Sequence, residues 1–398
     1  MPNAAPPFSA PEYARRLQLV RKAMAARDID LLFIEDPSNM AWLTGYDGWS
    51  FYVHQGVLIL HDEEPVWWGR RQDANGAVRT VWMDDARVTA YADNFVQSTE
   101  RHPMQNLAER IRDLGFGEKR IGLEFDNYYF SAKAYLVLQQ ALPGADLVDA
   151  TALVNWQRTV KSEEELAFMR KAARISEKVI DGIVERIEPG LRKNELVAEI
   201  YADAIRGAGD GTDDDWGDYP AIIPLLPSGS DAAAPHLTWD GRPFERGAAT
   251  FFEISGCYRR YHAPLCRTVF LGTPPQFMRD AEAALVEGLA AGLDVARAGN
   301  TAADIARALA APLERAGIER GARAGYPIGI SYPPDWGERT ISIREEDSTV
   351  LEPGMTFHFM PGLWMQDWGL EITESILIEP TGPATCFSDR PRALYVKD

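Results

Sequence analysis

The sequence has few cysteines, an excess of acidic over basic residues and no long apolar run. Its three cysteines, Cys257, Cys266 and Cys386, are not at CxxC spacing, which is typical of reduced thiols in a cytosolic protein. The 41 basic and 59 acidic residues give a net charge of −18, which argues against a general basic field for nucleic acid or anionic membranes. No run reaches the roughly 18 apolar residues of a membrane helix.

The N-terminal segment also lacks the pattern of a signal peptide, since residues 1–18 have neither a basic start nor an apolar core. We therefore expect a soluble, cytoplasmic protein without nucleic-acid or membrane partners. At roughly 150 residues per domain, the 398 residues predict two to three domains. The 46% of hydrophobic and 25% of charged residues are ordinary for a globular chain.

Helical and strand-type segments alternate over the first part of the chain. Leu17, Val20 and Met24 lie at helical spacing, and the short apolar run IDLLFIED that follows is of strand type. Such alternation predicts a layered α/β domain over residues 1–155. The long amphipathic pattern that begins at EEELAFMRKAARI predicts the start of a second domain over residues 156–398.

The second domain contains a weak internal repeat. Residues 188–205 and 297–313 each combine a Gly, a cap-like polar residue and an amphipathic helix. A duplicated unit of this kind predicts a pseudo-two-fold domain with a cleft between its halves. The runs ATFFEISG, RTVFLG, MTFHFMPGLW and ITESILIE predict a central antiparallel sheet.

Three ionisable residues are candidate catalytic groups: Glu253, His236 and Glu374. Glu253 lies in an otherwise apolar strand-type run, where a carboxylate costs several kcal/mol unless it is paired. Its partner would be either a cationic substrate or Arg267 in a structural ion pair. His236 follows a small-residue loop and suits proton transfer, and Glu374 would supply a second carboxylate from an adjacent strand.

Aromatic, histidine and arginine side chains are candidates for substrate binding. Ring faces hold a weakly hydrated cation well, and an arginine can pair with a substrate carboxylate through two hydrogen bonds. Each such residue is, taken singly, also compatible with a role in the core or at the surface. The candidates for substrate binding are Trp49, Tyr52, His262, Tyr332, Trp336, Arg339, His358 and Trp364. Arg70 and Arg71 are alternatives to Arg339.

The segment FFEISGCYRRYHAPLCRTVF resembles the creatinase and methionine-aminopeptidase ("pita-bread") family, whose members carry the pattern Asp-x-Gly…Tyr-x-Ser-Asp-x-Thr-Arg-Thr. Residues 37–48, 158–175, 228–236 and 351–362 are similar to further family segments, in the family's order. The resemblance implies an α/β (α+β) chain, with a creatinase-like N-terminal domain before a pita-bread catalytic domain. In that domain, helices flank a pseudo-two-fold antiparallel sheet. It also implies a homodimer.

In dimers of creatinase-like proteins, the N-terminal domain of one subunit closes the active site of the other. By this resemblance, Trp49 and Tyr52 are the residues expected to close the active site of the partner subunit.

Metallopeptidases of this family hold two metal ions, and their ligand set is mostly missing from this sequence. A divalent-metal site of this type needs several carboxylates and an imidazole, so the resemblance implies an enzyme without a metal or other cofactor. The ligand positions fall, in chain order, on Glu253, Pro264, Tyr326, Met360 and either Thr373 or Glu374.

The non-metal branch of the family includes creatinases and ectoine hydrolases, and TGYDGWSFYVHQGV and EISGCYRRYHAPLCRT look most like the latter. Ectoine hydrolases open a cyclic amidine, ectoine, to N-acetyl-2,4-diaminobutyrate. The resemblance therefore implies a hydrolase that acts on a small cyclic amidine in ectoine catabolism. A creatinase-like amidinohydrolase, a metal-dependent Xaa-Pro peptidase and a non-catalytic pita-bread binding module remain alternatives.

Overall fold

The computed structural model describes residues 6–212 and 214–398. The chain divides into two compact units, Met1–Gln157 and Arg158–Asp398, and both combine helices with strands, as the predicted fold class requires. The expected division after residue 155 falls inside the short helix Leu153–Arg158. Within the described residues, no helix is both long and apolar enough to cross a membrane.

The first unit is built on a six-stranded mixed sheet in the order β4-β3-β2-β1-β5-β6. Its strands are β1 (Leu31–Ile34), β2 (Gly56–Ile59), β3 (Val66–Arg70), β4 (Val88–Tyr91), β5 (Arg120–Leu123) and β6 (Asp146–Asp149). Its helices are α1 (Ala10–Ala25), α2 (Pro37–Thr44), α3 (Arg71–Thr80), α4 (Pro103–Asp113), α5 (Ala132–Ala141) and α6 (Leu153–Arg158).

The start of this unit follows the sequence pattern closely. Ser9 caps α1 by accepting a hydrogen bond from the backbone of Glu12, and Leu17, Val20 and Met24 form its buried face. The helix is thereby fixed against the sheet, whose central strand β1 is buried along its whole length.

The second unit contains two helix pairs and several short sheets. Its helices are α7 (Glu163–Arg186), α8 (Lys193–Arg206), α9 (Gln276–Val295) and α10 (Ala302–Arg315). Its strands are β7 (Ala249–Tyr258), β8 (Tyr261–Leu271), β9 (Gly325–Pro327), β10 (Thr356–Phe359), β11 (Gly362–Trp364), β12 (Gly369–Glu371), β13 (Glu374–Leu377), β14 (Thr385–Cys386) and β15 (Tyr395–Lys397).

Each helix pair packs on its own strands. The apolar faces of α7 and α8 form one core cluster with β7 and β8, whereas α9 and α10 form another with β10, β12 and β13. The two halves thus repeat the same helix-on-sheet arrangement, which corresponds to the repeat seen in the sequence.

The face of the β7–β8 hairpin turned away from α7 carries the candidate site. Glu253 lies directly opposite Cys266 in the antiparallel register, so the two side chains share that face. The backbone N–H of Cys266 donates to Thr373 Oγ1 at 2.9 Å, which ties the hairpin to the chain between β12 and β13. The hairpin and these strands therefore meet around Glu253.

Candidate active site

Glu253 is a buried carboxyl group that forms no ion pair with a lysine or arginine of residues 6–212 and 214–398. Its residue is 5% exposed, and burial raises its pKa to about 7. The Nδ1 atom of His358 lies 3.9 Å from Glu253 Oε1. A carboxyl group in this setting can exist in either protonation state near neutral pH, so it is suited to act as a base or nucleophile.

His358 is held by hydroxyl groups on both ring nitrogens. Nδ1 lies 3.1 Å from the Tyr326 hydroxyl, and Nε2 lies 2.8 Å from Thr373 Oγ1. The indole N–H of Trp336 donates to the same Tyr326 oxygen at 2.7 Å. Burial lowers the pKa of His358 to about 3, and the imidazole is therefore neutral.

Two of the hydrogen bonds in this network have a fixed direction. Because indole nitrogen is only a donor, the Tyr326 oxygen accepts from Trp336, and Thr373 Oγ1 accepts from the Cys266 backbone. Both hydroxyl groups can also bond a neutral imidazole, which donates from one ring nitrogen and accepts at the other. The network fixes the ring beside Glu253 without supplying a positive charge.

Glu371, at the end of β12, is the second buried carboxyl group of this cluster. It is 0% exposed, and among the described residues neither of its carboxylate oxygens has a hydrogen-bond partner within the usual limits, although Arg320, Cys266 and Trp364 are close enough to favour its ionised form. Burial, followed by the charge of Glu253, raises its pKa well above the ordinary value. Glu371 therefore holds its proton more tightly than an exposed carboxyl group does, and its protonated form can donate to a neighbouring group.

Sequence reasoning named Glu374 in this role and missed Glu371. The structure pairs Glu374 with Phe359 and the adjacent Ser375 with His358 across β10 and β13, so Glu374 faces away from the imidazole. Its Oε1 instead accepts from Arg267 Nη2 at 2.6 Å and from Arg392 at 3.2 Å. Arg267 thus forms a structural ion pair, but with Glu374 rather than Glu253.

His236 lies in the turn after the short 3-10 helix Gly229–Ala233, and its residue is exposed. That short helix packs on β7 and β12, and its Ala232 lies in a buried cluster with Phe251 and Cys266. The loop is therefore close to the site, while the imidazole faces solvent and Glu253 is buried.

His262 and Trp336 form the second part of the buried ring cluster. Burial lowers the pKa of His262 to about 3, and its Nε2 accepts from the backbone N–H of Ala221 at 2.8 Å. The Trp336 ring centroid lies 6.2 Å from that of His262 and 6.4 Å from that of His358. Trp336 therefore contacts both histidines.

The remaining candidates for substrate binding differ in how far they are buried. Tyr332 is buried, with the Arg260 guanidinium 5.5 Å from its ring centroid. Trp364 is half-buried and packs against the Phe251–Cys266 cluster, and Arg339 is exposed. Trp49 and Tyr52, in the other unit, are 60% and 70% exposed.

The residues present do not fit a metal centre of the pita-bread type. Glu253, Tyr326 and Thr373, which stand at three of the expected ligand positions, all lie around the imidazole of His358. Within residues 6–212 and 214–398, no group of three or more His, Cys, Asp or Glu side chains could hold a metal ion. Hydroxyl groups and one carboxyl group surround the imidazole of His358, and this set of groups is suited to proton transfer rather than to binding a metal ion.

Comparison with known proteins identifies relatives over nearly the whole chain. Residues 167–380 match metallopeptidase family M24, and residues 16–160 match the creatinase/prolidase N-terminal domain. The chain is 59% identical to the ectoine hydrolase of Halomonas elongata, covering 98% of both chains. It is 41% identical to an uncharacterized hydrolase/peptidase of Sinorhizobium fredii, covering 98% of this chain and 99% of that protein.

Among solved structures, an Xaa-Pro dipeptidase from Bacillus anthracis superposes with a TM-score of 0.80. The match covers 96% of this chain and 99% of that one at 18% identity, and it shows the shared fold.

Replacing Arg267 by Met should lower the free energy of unfolding by about 3–5 kcal/mol, because Glu374 would remain buried without its cation. Arg392→Met is the matched control. Arg392 contacts the same carboxylate, but its side chain is 38% exposed, so the loss should be about 0–1 kcal/mol. Denaturant unfolding of the three proteins measures both effects, and equal losses would contradict the structural role of Arg267.

Proposed function

We propose that this chain, which belongs to metallopeptidase family M24, is a hydrolase of ectoine degradation that acts without a metal ion. The reaction is the opening of the cyclic amidine ring of ectoine to N-acetyl-2,4-diaminobutyrate. Its main support is the 59% identity, over 98% of both chains, to the ectoine hydrolase of Halomonas elongata. The donor set around His358, which does not fit a metal ion, supports metal independence.

The carboxyl pair suits a cationic amidine. An amidinium placed beside Glu253 and Glu371 would stabilise the ionised form of Glu253, because opposite charges attract strongly in a buried site. Two carboxyl groups that carry a single proton would then offer one negative charge and one donor. These are the two features that opening an amidine ring requires, namely a nucleophile or base and an acid.

We assign the attack on the amidine carbon to Glu253. Its carboxylate adds to that carbon, and the bond to one ring nitrogen breaks as the protonated Glu371 gives that nitrogen a proton. Water then attacks the carboxyl carbon of Glu253, which releases the N-acetylated product with one protein oxygen and restores the carboxylate. His358, held by Tyr326 and Thr373, positions Glu253 without neutralising it. His236, exposed on the loop beside the site, exchanges protons with solvent.

Incubation with ectoine under a chelator, followed by mass spectrometry of the products, tests this function. Wild-type protein should release the acetylated diamino acid, and Glu253→Gln should lose about 10²-fold or more of kcat, since charge and basicity both disappear. Glu287→Gln, a like substitution at a side chain that is 63% exposed, should retain activity. Turnover that needs an added divalent metal, or that occurs only with creatine or an Xaa-Pro peptide, would contradict the proposal.

Single turnover in oxygen-18 water distinguishes the two roles open to Glu253. If Glu253 is the nucleophile, one of its own oxygens passes to the product, so the acetyl group is unlabelled in the first turnover. The peptide that contains Glu253 then gains oxygen-18 from the water. A fully labelled product would instead make Glu253 the base that activates water.

The two carboxyl groups predict a bell-shaped dependence of kcat/KM on pH. Activity should rise through about pH 7 as Glu253 ionises, and fall at higher pH as Glu371 loses its proton. Glu371→Gln should keep the acidic limb, remove the alkaline limb and lower kcat by about 10²-fold. Steady-state kinetics across pH 5 to about 10 measure this, and an unchanged alkaline limb in Glu371→Gln would exclude Glu371 as the acid.

We also propose a two-fold homodimer in which Trp49 and Tyr52 complete the active site of the partner subunit. The exposure of both large aromatic side chains, 60% and 70%, supports this arrangement.

Mixing Trp49→Ala chains with Glu253→Gln chains should then restore part of the activity, because one heterodimeric site contains neither change. A mixture of Glu253→Gln and Glu371→Gln chains is the negative control: both residues lie in the second unit, so each site of the heterodimer contains one of the two changes and no activity should be restored.

A mixture of Trp49→Ala and Tyr52→Ala chains is a second negative control. Both substitutions lie in the first unit, so each site of the heterodimer contains one of the two changes and no activity should be restored. Activity measured after subunit exchange, with each variant alone as the baseline, gives the recovery. Absence of recovery for Trp49→Ala with Glu253→Gln would mean that each site is built within one chain.

A further inference from the structure

Thr268, on β8, is buried on the face of the β7–β8 hairpin that carries Glu253. It is 0% exposed, and it follows Cys266 by two positions on the same strand, so both side chains point to the same face of the sheet. Cys266 lies opposite Glu253 in the register, which places the Thr268 hydroxyl on the face turned away from α7. A hydroxyl group buried there needs hydrogen-bond partners, because an unpaired one is costly.

The Thr268 hydroxyl forms hydrogen bonds with both polar backbone groups of Glu371. Its Oγ1 donates to the carbonyl oxygen of Glu371 at 2.8 Å and accepts from the N–H of the same residue at 2.9 Å. These directions are fixed, because a backbone N–H only donates and a carbonyl oxygen only accepts. One side chain thus holds both backbone groups of a residue in another strand.

These two bonds take the place of strand pairing at the end of β12. Glu371 lies opposite Gly362 of β11, and the next residue, Ile372, directs its N–H to the carbonyl oxygen of Pro361 at 3.4 Å. Since the backbone groups of successive strand residues point to opposite sides, the N–H and C=O of Glu371 point away from β11. Buried backbone groups need partners, and the Thr268 hydroxyl is the partner of both.

The carboxyl group of Glu371 depends on its backbone for its position. Among the described residues, neither of its oxygens has a hydrogen-bond partner within the usual limits, so such bonds do not fix the side chain from its outer end. The Cα from which the side chain starts is held by Thr268. In an active site, a misplacement of about 1 Å can cost about 10²-fold in rate, so the contact with Thr268 bears on catalysis.

We propose that Thr268 is a positioning residue for Glu371. Its hydroxyl fixes the end of β12 so that the Glu371 carboxyl group lies within reach of the nitrogen that departs from the amidine carbon. This inference rests on the proposed function, in which Glu371 supplies the proton for that nitrogen. Thr268 therefore affects the rate through Glu371 and not through contact with the substrate.

Substitutions of Thr268 test this role with ectoine as the substrate. Thr268→Val keeps nearly the same shape but removes both hydrogen bonds, so kcat should fall about 10- to 100-fold with little change in KM. Thr268→Ser keeps the hydroxyl group and should retain most of kcat. Steady-state kinetics give both parameters, and denaturant unfolding gives the stability of each variant.

Ser176→Ala is the matched control on the opposite face of the same hairpin. Ser176, on α7, is 1% exposed, and its Oγ accepts from the Gly256 N–H at 2.7 Å and donates to the Ala263 carbonyl oxygen at 2.5 Å. Its loss should destabilise the hairpin to a similar extent as Thr268→Val, because each removes a hydroxyl that bonds two buried backbone groups. It should leave kcat close to that of the wild type.

A double variant distinguishes positioning of Glu371 from a general structural effect. If Thr268 acts through Glu371, then adding Thr268→Val to Glu371→Gln should cause no further loss of kcat, since the acid is already absent. If the two residues act independently, their losses should multiply, to about 10³- to 10⁴-fold in the double variant.

Each outcome decides the inference. Unchanged kcat in Thr268→Val, an equal loss of kcat in Thr268→Ser or Ser176→Ala, or multiplied losses in the double variant would overturn the inference and leave the proposed function intact. Wild-type protein that does not open ectoine would overturn both. If circular dichroism shows that Thr268→Val does not fold, Thr268→Cys replaces it with the same expectations, because a thiol is a weak donor and acceptor.

Discussion

Burial of the carboxyl groups of Glu253 and Glu371 is the constraint on which the site depends. Burial raises the pKa of both groups, and the charge of Glu253 raises that of Glu371 further, against the opposing charge of Arg320. Arg267 is committed to Glu374 and to backbone carbonyl oxygens. Proton affinity in the site is thus set by burial and by where the fold places its arginines.

The architecture and the first catalytic candidate could be predicted from the sequence because both depend on local patterns. The spacing of apolar residues predicted α1, and the segments that resemble the pita-bread family, in the family's order, predicted the two-part α/β fold. Glu253 was recognisable as a carboxylate in an apolar strand. These features are properties of one segment at a time, so no knowledge of neighbouring strands is needed.

The choice between Glu371 and Glu374 depended instead on where a strand ends. The chain leaves β12 after Glu371 and enters β13 at Glu374, so alternation does not run continuously between them. Glu374 consequently faces Arg267, whereas Thr373 faces His358. The position of that interruption is decided by tertiary contacts, which the pattern of a single segment does not contain.

Cys266 places a thiol directly across the hairpin from Glu253. Burial, followed by the charges that Glu371 and Glu253 carry when ionised, raises the pKa of this thiol well above the ordinary value, so the sulfur stays protonated at neutral pH and the more reactive thiolate does not form. The burial that raises the pKa of Glu253 therefore also keeps the neighbouring thiol unreactive. Because oxidants attack the thiolate, the same burial disfavours oxidation of this sulfur.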